Sequence, residues 1–128
     1  MYTFDSREVT HGDTFLCLPG GEKYTKDAQK KGAIDSISLT RIELALFAKT
    51  YFSAPDKSLC VIGVTGTNGK TSISHFVYQA LQYCKHTPLV LGTLTSPLTT
   101  MESWNLYKHM NDHAWNNGSH VIMEVSSH

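Results

Sequence analysis

The second half of the chain alternates short continuous apolar runs with stretches in which apolar residues recur at helical spacing. The runs at 59–64, 89–91 and 121–125 predict three strands, the first of them buried on both faces of a parallel sheet. The stretches between them predict two helices, each with one apolar stripe. The stripes consist of Ile73, Phe76, Val77, Ala80 and Leu81, and of Trp104, Tyr107, Met110 and Ala114. This order predicts an α/β fold with a mainly parallel sheet.

The first half carries weaker signals. Residues 14–18 predict a short strand, and a small helix is expected from Thr25 with Gly32 as its C-terminal stop. Residues 40–43 form a capping box that opens a helix through about Phe52. Residues 99–102 suggest a second capping box before the last helix. The segment 53–58 breaks the pattern and indicates a linker, which divides the chain into parts 1–58 and 59–128.

Composition narrows the classes of function. The 128 residues have a formal net charge of zero and are 17% charged, so no basic field suggests nucleic acid. The apolar runs are too short to span a bilayer, and the N-terminus lacks an apolar signal segment. The three cysteines are widely spaced and predict neither a disulfide framework nor a zinc site, so a reducing cytoplasm fits them. Cys60 lies in an apolar run and is expected to be buried.

The segment 63–72, Gly-Val-Thr-Gly-Thr-Asn-Gly-Lys-Thr-Ser, joins the first of these strands to a helix. This order of strand, glycine-rich loop, Lys-Thr and helix is typical of sites that hold a nucleotide triphosphate. The glycines let backbone N–H groups converge on phosphate oxygens. Lys70 would reach the β- and γ-phosphates, and the Thr71 hydroxyl would hold Mg²⁺. Val64 stands where the standard spacing has its first glycine, so a simple glycine-rich turn is the alternative. The flanking strand and helix favour the phosphate loop.

Glu124 ends the third strand at the edge of the sheet where ligands of parallel sheets bind. Its carboxylate is placed to approach an Mg²⁺ held by the triphosphate. The alternative is an ordinary solvated glutamate at a strand end. The glycine loop nearby favours the metal role.

Two motifs together resemble a known family, the Mur ligases. Residues 61–72 resemble its ATP-binding motif, including the shifted glycines, and residues 123–128, Met-Glu-Val-Ser-Ser-His, resemble a second signature. The second signature is typical of the branch that adds the third amino acid of the peptidoglycan stem peptide. It argues against folylpolyglutamate synthetase-like enzymes, which share the glycine loop. Residues 5–7 with 12–15 resemble the family's N-terminal uridine-binding domain.

The resemblance implies an ATP-dependent amide-bond-forming ligase that acts on UDP-MurNAc-dipeptide through an acyl phosphate. The implied fold is α/β. A small, shortened, UDP-sugar-binding-like piece at 1–58 would precede the first part of a P-loop-type parallel-sheet ATPase domain at 59–128. The implied small molecules are ATP, Mg²⁺, the UDP-linked substrate and an amino acid, and the implied location is the cytoplasm.

The resemblance also assigns residues. ATP would be bound by Gly66, Thr67, Asn68, Gly69, Lys70, Thr71 and Ser72. Lys70 and Glu124 would be catalytic. Thr71 would be a ligand of one magnesium ion and Glu124 a ligand of a second. The UDP-linked substrate would contact Thr99, Thr100 and Ser126, and Ser6 at its uridine end.

The chain departs from the family pattern in length. The segment 20–40 is short, and the family's modified lysine and C-terminal amino-acid-binding domain have no counterpart here. We therefore expect that these 128 residues alone do not complete the ligation. The alternative function is a non-catalytic ATP-binding fragment or remnant of such a ligase.

Overall fold

The computed structural model describes residues 1–95 and 100–126, and the chain forms two compact units, Met1–Phe47 and Ala48–His128. The division falls within a helix, ahead of the predicted linker at 53–58. The predicted domain assignment, 1–58 and 59–128, stays a prediction.

The first unit contains a three-stranded parallel sheet in the order β1-β2-β3. The strands are β1 (Tyr2–Thr3), β2 (Thr14–Cys17) and β3 (Asp35–Ser38), and helix α1 spans Glu22–Lys30. The buried residues Val9, Phe15, Cys17 and Ala28 form its core. The strand predicted at 14–18 is confirmed, and the predicted small helix is present but begins three residues earlier than Thr25.

Gly32 ends the turn after α1, as predicted. Its φ is +104°, a conformation that L side chains rarely adopt, and a Cβ there would lie 2.9 Å from the Cα of His11. The close approach allows the Gly12 N–H to donate to the Gly32 carbonyl at 2.9 Å. Glycine at position 32 is therefore required both by conformation and by space.

Helix α2 spans Arg41–Tyr51 and begins with the predicted capping box. The Thr40 N–H donates to Glu43 Oε2 at 2.7 Å, and the Glu43 N–H donates to Thr40 Oγ1 at 3.2 Å. These reciprocal bonds satisfy two N–H groups at the start of the helix. The predicted linker contains a 3₁₀ turn at Pro55–Lys57.

The second unit contains a parallel sheet in the order β4-β6-β5. The strands are β4 (Cys60–Thr65), β5 (Pro88–Leu91) and β6 (His120–Val125). Helix α3 (Lys70–Tyr83) connects β4 to β5, and helix α4 (Ser103–Trp115) precedes β6. The βαβαβ order and the parallel sheet predicted from the sequence are confirmed.

The predicted burial of β4 is wrong. Among the described residues β4 pairs with β6 alone, and Val61 is 39% exposed. Cys60, predicted to be buried, is exposed as well. The central strand is β6, where Val121 and Ile122 are fully buried.

The two predicted helix stripes have different outcomes. On α4, Trp104 and Met110 are buried, which confirms that stripe. On α3, Ile73 and Phe76 are 50% and 63% exposed, so that stripe is wrong. The face of α3 that packs inward is centred on Ser74, which is fully buried.

The second predicted capping box is also wrong. Helix α4 begins at Ser103, and Glu102 is its N-cap residue, without a side-chain cap hydrogen bond. Thr99, the first residue of the predicted box, lies outside the described residues. Across 1–95 and 100–126, the helices all fall short of the length and apolar character needed to cross a membrane.

In the first unit, the hydrogen bonds of Asp13 are expected to make the stability of the folded chain depend on pH. Its buried carboxylate accepts hydrogen bonds from the Thr10 N–H and the Thr10 hydroxyl, both at 2.8 Å. These bonds, the backbone one first, hold the pKa of the Asp13 carboxyl below its usual value of 3.8. Because the pKa is lower in the folded state, the stabilisation is present above about pH 4 and is lost as the pH falls through the folded-state pKa.

We therefore expect Asp13→Asn to lower the melting temperature clearly at pH 7 and less at about pH 3, which lies below the ordinary pKa of the carboxyl. Thermal unfolding followed by circular dichroism across this range measures the difference. Asp27→Asn, at a carboxylate that is more than half exposed, is the matched control and should change little at either pH. An equal loss for Asp13→Asn at both pH values would contradict the assignment.

Candidate functional site

The glycine loop occupies the turn between β4 and α3. Gly66 has φ +145° and Gly69 has φ +79°. Both values are positive, and residues with a side chain rarely adopt them, so glycine is favoured at both positions. Val64 still lies within β4, where it pairs with Glu124 of β6. The shifted spacing follows from this geometry, because a residue inside a strand does not need to be glycine.

The N-terminus of α3 is suited to an anion. The Ile73 N–H donates to the Gly69 carbonyl at 3.0 Å, so the preceding amides of the first turn have no acceptor within the helix. These N–H groups and the helix dipole favour negative charge. Lys70 Nζ donates to the Gly66 carbonyl at 2.7 Å, which holds the ammonium group over the loop. The remaining non-glycine residues predicted to bind ATP are exposed or half-buried: Thr67, Asn68, Thr71 and Ser72.

Glu124 is buried at the end of the central strand, with 1% of its surface exposed. Its Oε2 accepts hydrogen bonds from the Thr71 hydroxyl at 3.1 Å and from the Thr93 hydroxyl at 2.9 Å. Its Oε1 is buried and has no partner among the described residues. The alternative of a solvated glutamate at a strand end is therefore wrong.

The donor set fits a hard divalent cation. A buried carboxylate oxygen without a partner is costly, and carboxylate and hydroxyl oxygens are the ligands that Mg²⁺ takes in phosphate-binding sites. The described part of the chain contains no group of three His, Cys, Asp or Glu side chains that could hold a metal ion. An Mg²⁺ at Glu124 and Thr71 would therefore need oxygens from a bound phosphate and from water.

Thr100 and Ser126 lie together next to Glu124. The Ser126 N–H donates to Thr100 Oγ1 at 2.7 Å, and the Thr100 hydroxyl contacts the Glu124 carbonyl at 3.4 Å. The structure thus brings two of the predicted substrate-contacting residues to the carboxyl end of β6. Thr99 lies outside the described residues, and the substrate roles stay predictions.

Ser6 lies in the first unit, on a cavity of about 320 Å³. The cavity is lined by Phe4, Asp5, Ser6, Arg7, Phe15 and Tyr24. Arg7 donates hydrogen bonds to both carboxylate oxygens of Asp5, from Nε to Oδ1 at 2.9 Å and from Nη2 to Oδ2 at 2.6 Å. This hydrogen bonding by Arg7 holds the pKa of the Asp5 carboxyl below its ordinary value. The result is a pocket with aromatic walls and a hydroxyl at its rim.

Sequence reasoning places the loop that begins at Gly92 at the ligand-binding edge of the sheet, but it assigned no role to Gly92 or Thr93, which follow β5 directly. Thr93 donates to Glu124, and a Cβ on Gly92 would overlap the Glu124 carboxyl group, 2.5 Å from its Cδ. The available signal was a Gly-Thr pair immediately after a buried strand, at the sheet edge where ligands bind. This pair matches no phosphate-binding motif, so the pattern alone did not single it out.

The comparisons with known proteins agree with this geometry. Residues 64–128 match the family model of the Mur ligase middle domain. The chain is 36% identical to UDP-N-acetylmuramoyl-L-alanyl-D-glutamate–2,6-diaminopimelate ligase of Clostridioides difficile (strain 630), over 98% of this chain and 32% of that protein. It is 34% identical to the ligase of the same name from Solibacter usitatus (strain Ellin6076), over 98% of this chain and 31% of that protein.

A solved structure of a UDP-N-acetylmuramoyl-L-alanyl-D-glutamate–2,6-diaminopimelate ligase is also similar. It superposes with a TM-score of 0.81 at 27% sequence identity, over 99% of this chain and 32% of that one. The chain spans about a third of the length of the curated relatives it matches. The family model covers the glycine loop from Val64 onward, Glu124 and the segment that joins them, and on this match the chain belongs to the Mur ligase family.

Proposed function

We propose that this chain binds Mg-ATP at the glycine loop and acts in the ATP-dependent formation of an amide bond on a UDP-linked muramoyl dipeptide. The added residue would be the third of the peptidoglycan stem peptide. Diaminopimelate is our first candidate, since the relatives' names specify it. We place this activity in the cytoplasm, where ATP is abundant and the free cysteines stay reduced.

The observation that carries the proposal is the buried Glu124 carboxylate next to the loop. Its Oε1 has no partner among the described residues, and its Oε2 contacts the hydroxyl of Thr71, the second residue of α3. A hydroxyl that donates to a carboxylate keeps its lone pairs for a cation. Thr71 and Glu124 would therefore hold Mg²⁺ together with oxygens of the triphosphate.

When bound, Mg-ATP supplies the phosphoryl group that converts the substrate carboxylate to an acyl phosphate, from which an incoming amine displaces inorganic phosphate. The chain's own part is positioning and charge neutralisation. Loop amides between Gly66 and Gly69 would hold phosphate oxygens. Lys70 Nζ would exchange its Gly66 carbonyl contact for the phosphates, whose charge attracts it more strongly.

Substrate binding is proposed for two places, one in each unit. In the first unit, the cavity at Ser6 would take the uridine end, with the base packed against aromatic side chains. In the second unit, Ser126 lies at the end of β6, and Thr100 uses its hydroxyl to hold the Ser126 backbone. We therefore propose that Thr100 orients Ser126 toward the substrate, with Thr99 as a further contact.

A second candidate function is a nucleotide-binding protein without catalysis of its own. The contacts among the described residues favour considering it, because Lys70, Thr71 and Glu124 meet at the glycine loop and need only a nucleotide and a metal ion to be used. The two candidates share the Mg-ATP site and differ in whether an amide product forms.

The shared site is tested by Lys70→Ala. Loss of a charge-assisted hydrogen bond of about 1.5–3 kcal/mol weakens binding by about 10- to 100-fold. We expect isothermal titration calorimetry to show a loss of this size for Mg-ATP. Lys108→Ala, at an exposed lysine on α4, is the matched control and should bind as the unmodified chain does. Equal affinities for the two variants would argue against a phosphate role for Lys70.

The two functions are separated by a ligation assay. The chain is incubated with Mg-ATP, UDP-N-acetylmuramoyl-L-alanyl-D-glutamate and either diaminopimelate or lysine, and products are identified by mass spectrometry. A tripeptide product that requires ATP and is lost in Lys70→Ala supports the ligase. Mg-ATP binding that depends on Lys70, without any product, supports the second candidate.

A further inference from the structure

The carboxylate of Glu124 is held by hydroxyls from two different elements. The Thr71 hydroxyl comes from the first turn of α3, and the Thr93 hydroxyl comes from the segment after β5. Both donate to the same oxygen, Oε2. The arrangement leaves Oε1 as the oxygen without a partner among the described residues.

The two threonines differ in what else they are able to do. Thr71 belongs to the glycine-loop motif and is the residue expected to reach a metal ion. Thr93 belongs to no phosphate-binding motif and follows the neighbouring strand. Because Thr93 approaches Glu124 from that strand, it restrains the carboxylate independently of the loop.

Gly92 provides the space for this arrangement. A Cβ at position 92 would lie 2.5 Å from Glu124 Cδ and 2.6 Å from Glu124 Cγ, and it would also overlap Oε1. The turn that carries Gly92 is fixed by Thr95, whose Oγ1 accepts from the Gly92 N–H at 2.8 Å and donates to the Gly92 carbonyl at 3.0 Å. These bonds fix the local turn, and the pairing of Leu91 with Met123 of β6 keeps Gly92 beside Glu124.

From these contacts we propose that Thr93 is a positioning residue for the metal-binding carboxylate of Glu124, and that Gly92 is required for the carboxylate to occupy its place. Thr93 restrains the rotation of the carboxylate through Oε2, and Oε1 is left without a protein partner among the described residues. This inference rests on the proposed Mg-ATP site and adds two residues to it. Neither residue needs to touch the nucleotide.

The test is a double-mutant cycle on nucleotide affinity. Calorimetry gives the dissociation constant of ATP with Mg²⁺ and with EDTA for the unmodified chain, Thr93→Val, Glu124→Gln and the double variant. Loss of a residue that orients a metal ligand typically costs 10- to 100-fold in metal affinity. We expect Thr93→Val to weaken Mg-ATP binding by about 10-fold, with no change in EDTA, and to have no further effect in the Glu124→Gln background.

Two controls separate positioning from general damage. Thr93→Ser keeps the hydroxyl and should restore Mg-ATP affinity. Thr87→Val makes the same substitution at an exposed threonine just before β5, at the opposite end of that strand, and should have no effect. A Thr93→Val effect that is equally large in EDTA, or that adds fully to Glu124→Gln, would overturn the positioning role. Absence of Mg-ATP binding by the unmodified chain would instead overturn the proposed function, and this inference with it.

Gly92→Ala probes the space around the carboxylate. The added methyl group must displace the Glu124 side chain, so we expect Mg-dependent affinity to fall at least as far as in Thr93→Val. The unfolding temperature without ligand shows whether the variant remains folded. A folded Gly92→Ala variant that binds Mg-ATP as tightly as the unmodified chain would contradict the requirement for glycine.

Discussion

The hydrogen bonds that hold the buried Glu124 carboxylate are the interaction on which the candidate site depends. A carboxyl group removed from water needs partners. Here the protein supplies two hydroxyls to one oxygen, while the other oxygen has no partner among the described residues. This arrangement is possible because three parallel strands end at the same edge of the sheet. The register places Val64 of β4 directly beside Glu124, and β5 pairs with β6 through Met123 on the other side. The glycine loop follows β4 and the Gly92–Thr93 segment follows β5, so hydroxyls from both neighbours of β6 reach the same carboxylate oxygen.

The same register explains a detail of the loop that looks irregular in the sequence. The standard phosphate-loop spacing has a glycine where this chain has Val64, and Val64 is still a strand residue. The conformations that favour glycine occur later, at Gly66 and Gly69. The departure from the generic motif thus reflects where the strand ends and where the turn begins, and the loop keeps the features needed to bind phosphate.

Much of the second unit was predictable because its signals are local. A glycine-rich turn followed by Lys-Thr has a chemical meaning whatever surrounds it, and the alternation of strands and helices follows from hydrophobic spacing. Burial was less predictable. The run at 59–64 is the most continuous apolar segment, yet β4 pairs with β6 alone among the described residues and Val61 is 39% exposed. The inward face of α3 centres on Ser74, because packing against the sheet, and not apolar spacing, decides which side of a helix is covered.

The residues alone were enough to predict a phosphate-binding loop, the α/β order of elements and the likeness of two motifs to the Mur ligases. These predictions rest on residues that are close together in the sequence, so they can be made before the fold is known. The fold was needed to show that β6 is the central strand, that the Glu124 carboxylate is buried, and that Gly92 and Thr93 contact it. The physical reason is that these contacts join segments far apart in the chain, and only the order and register of the strands bring them within hydrogen-bonding distance.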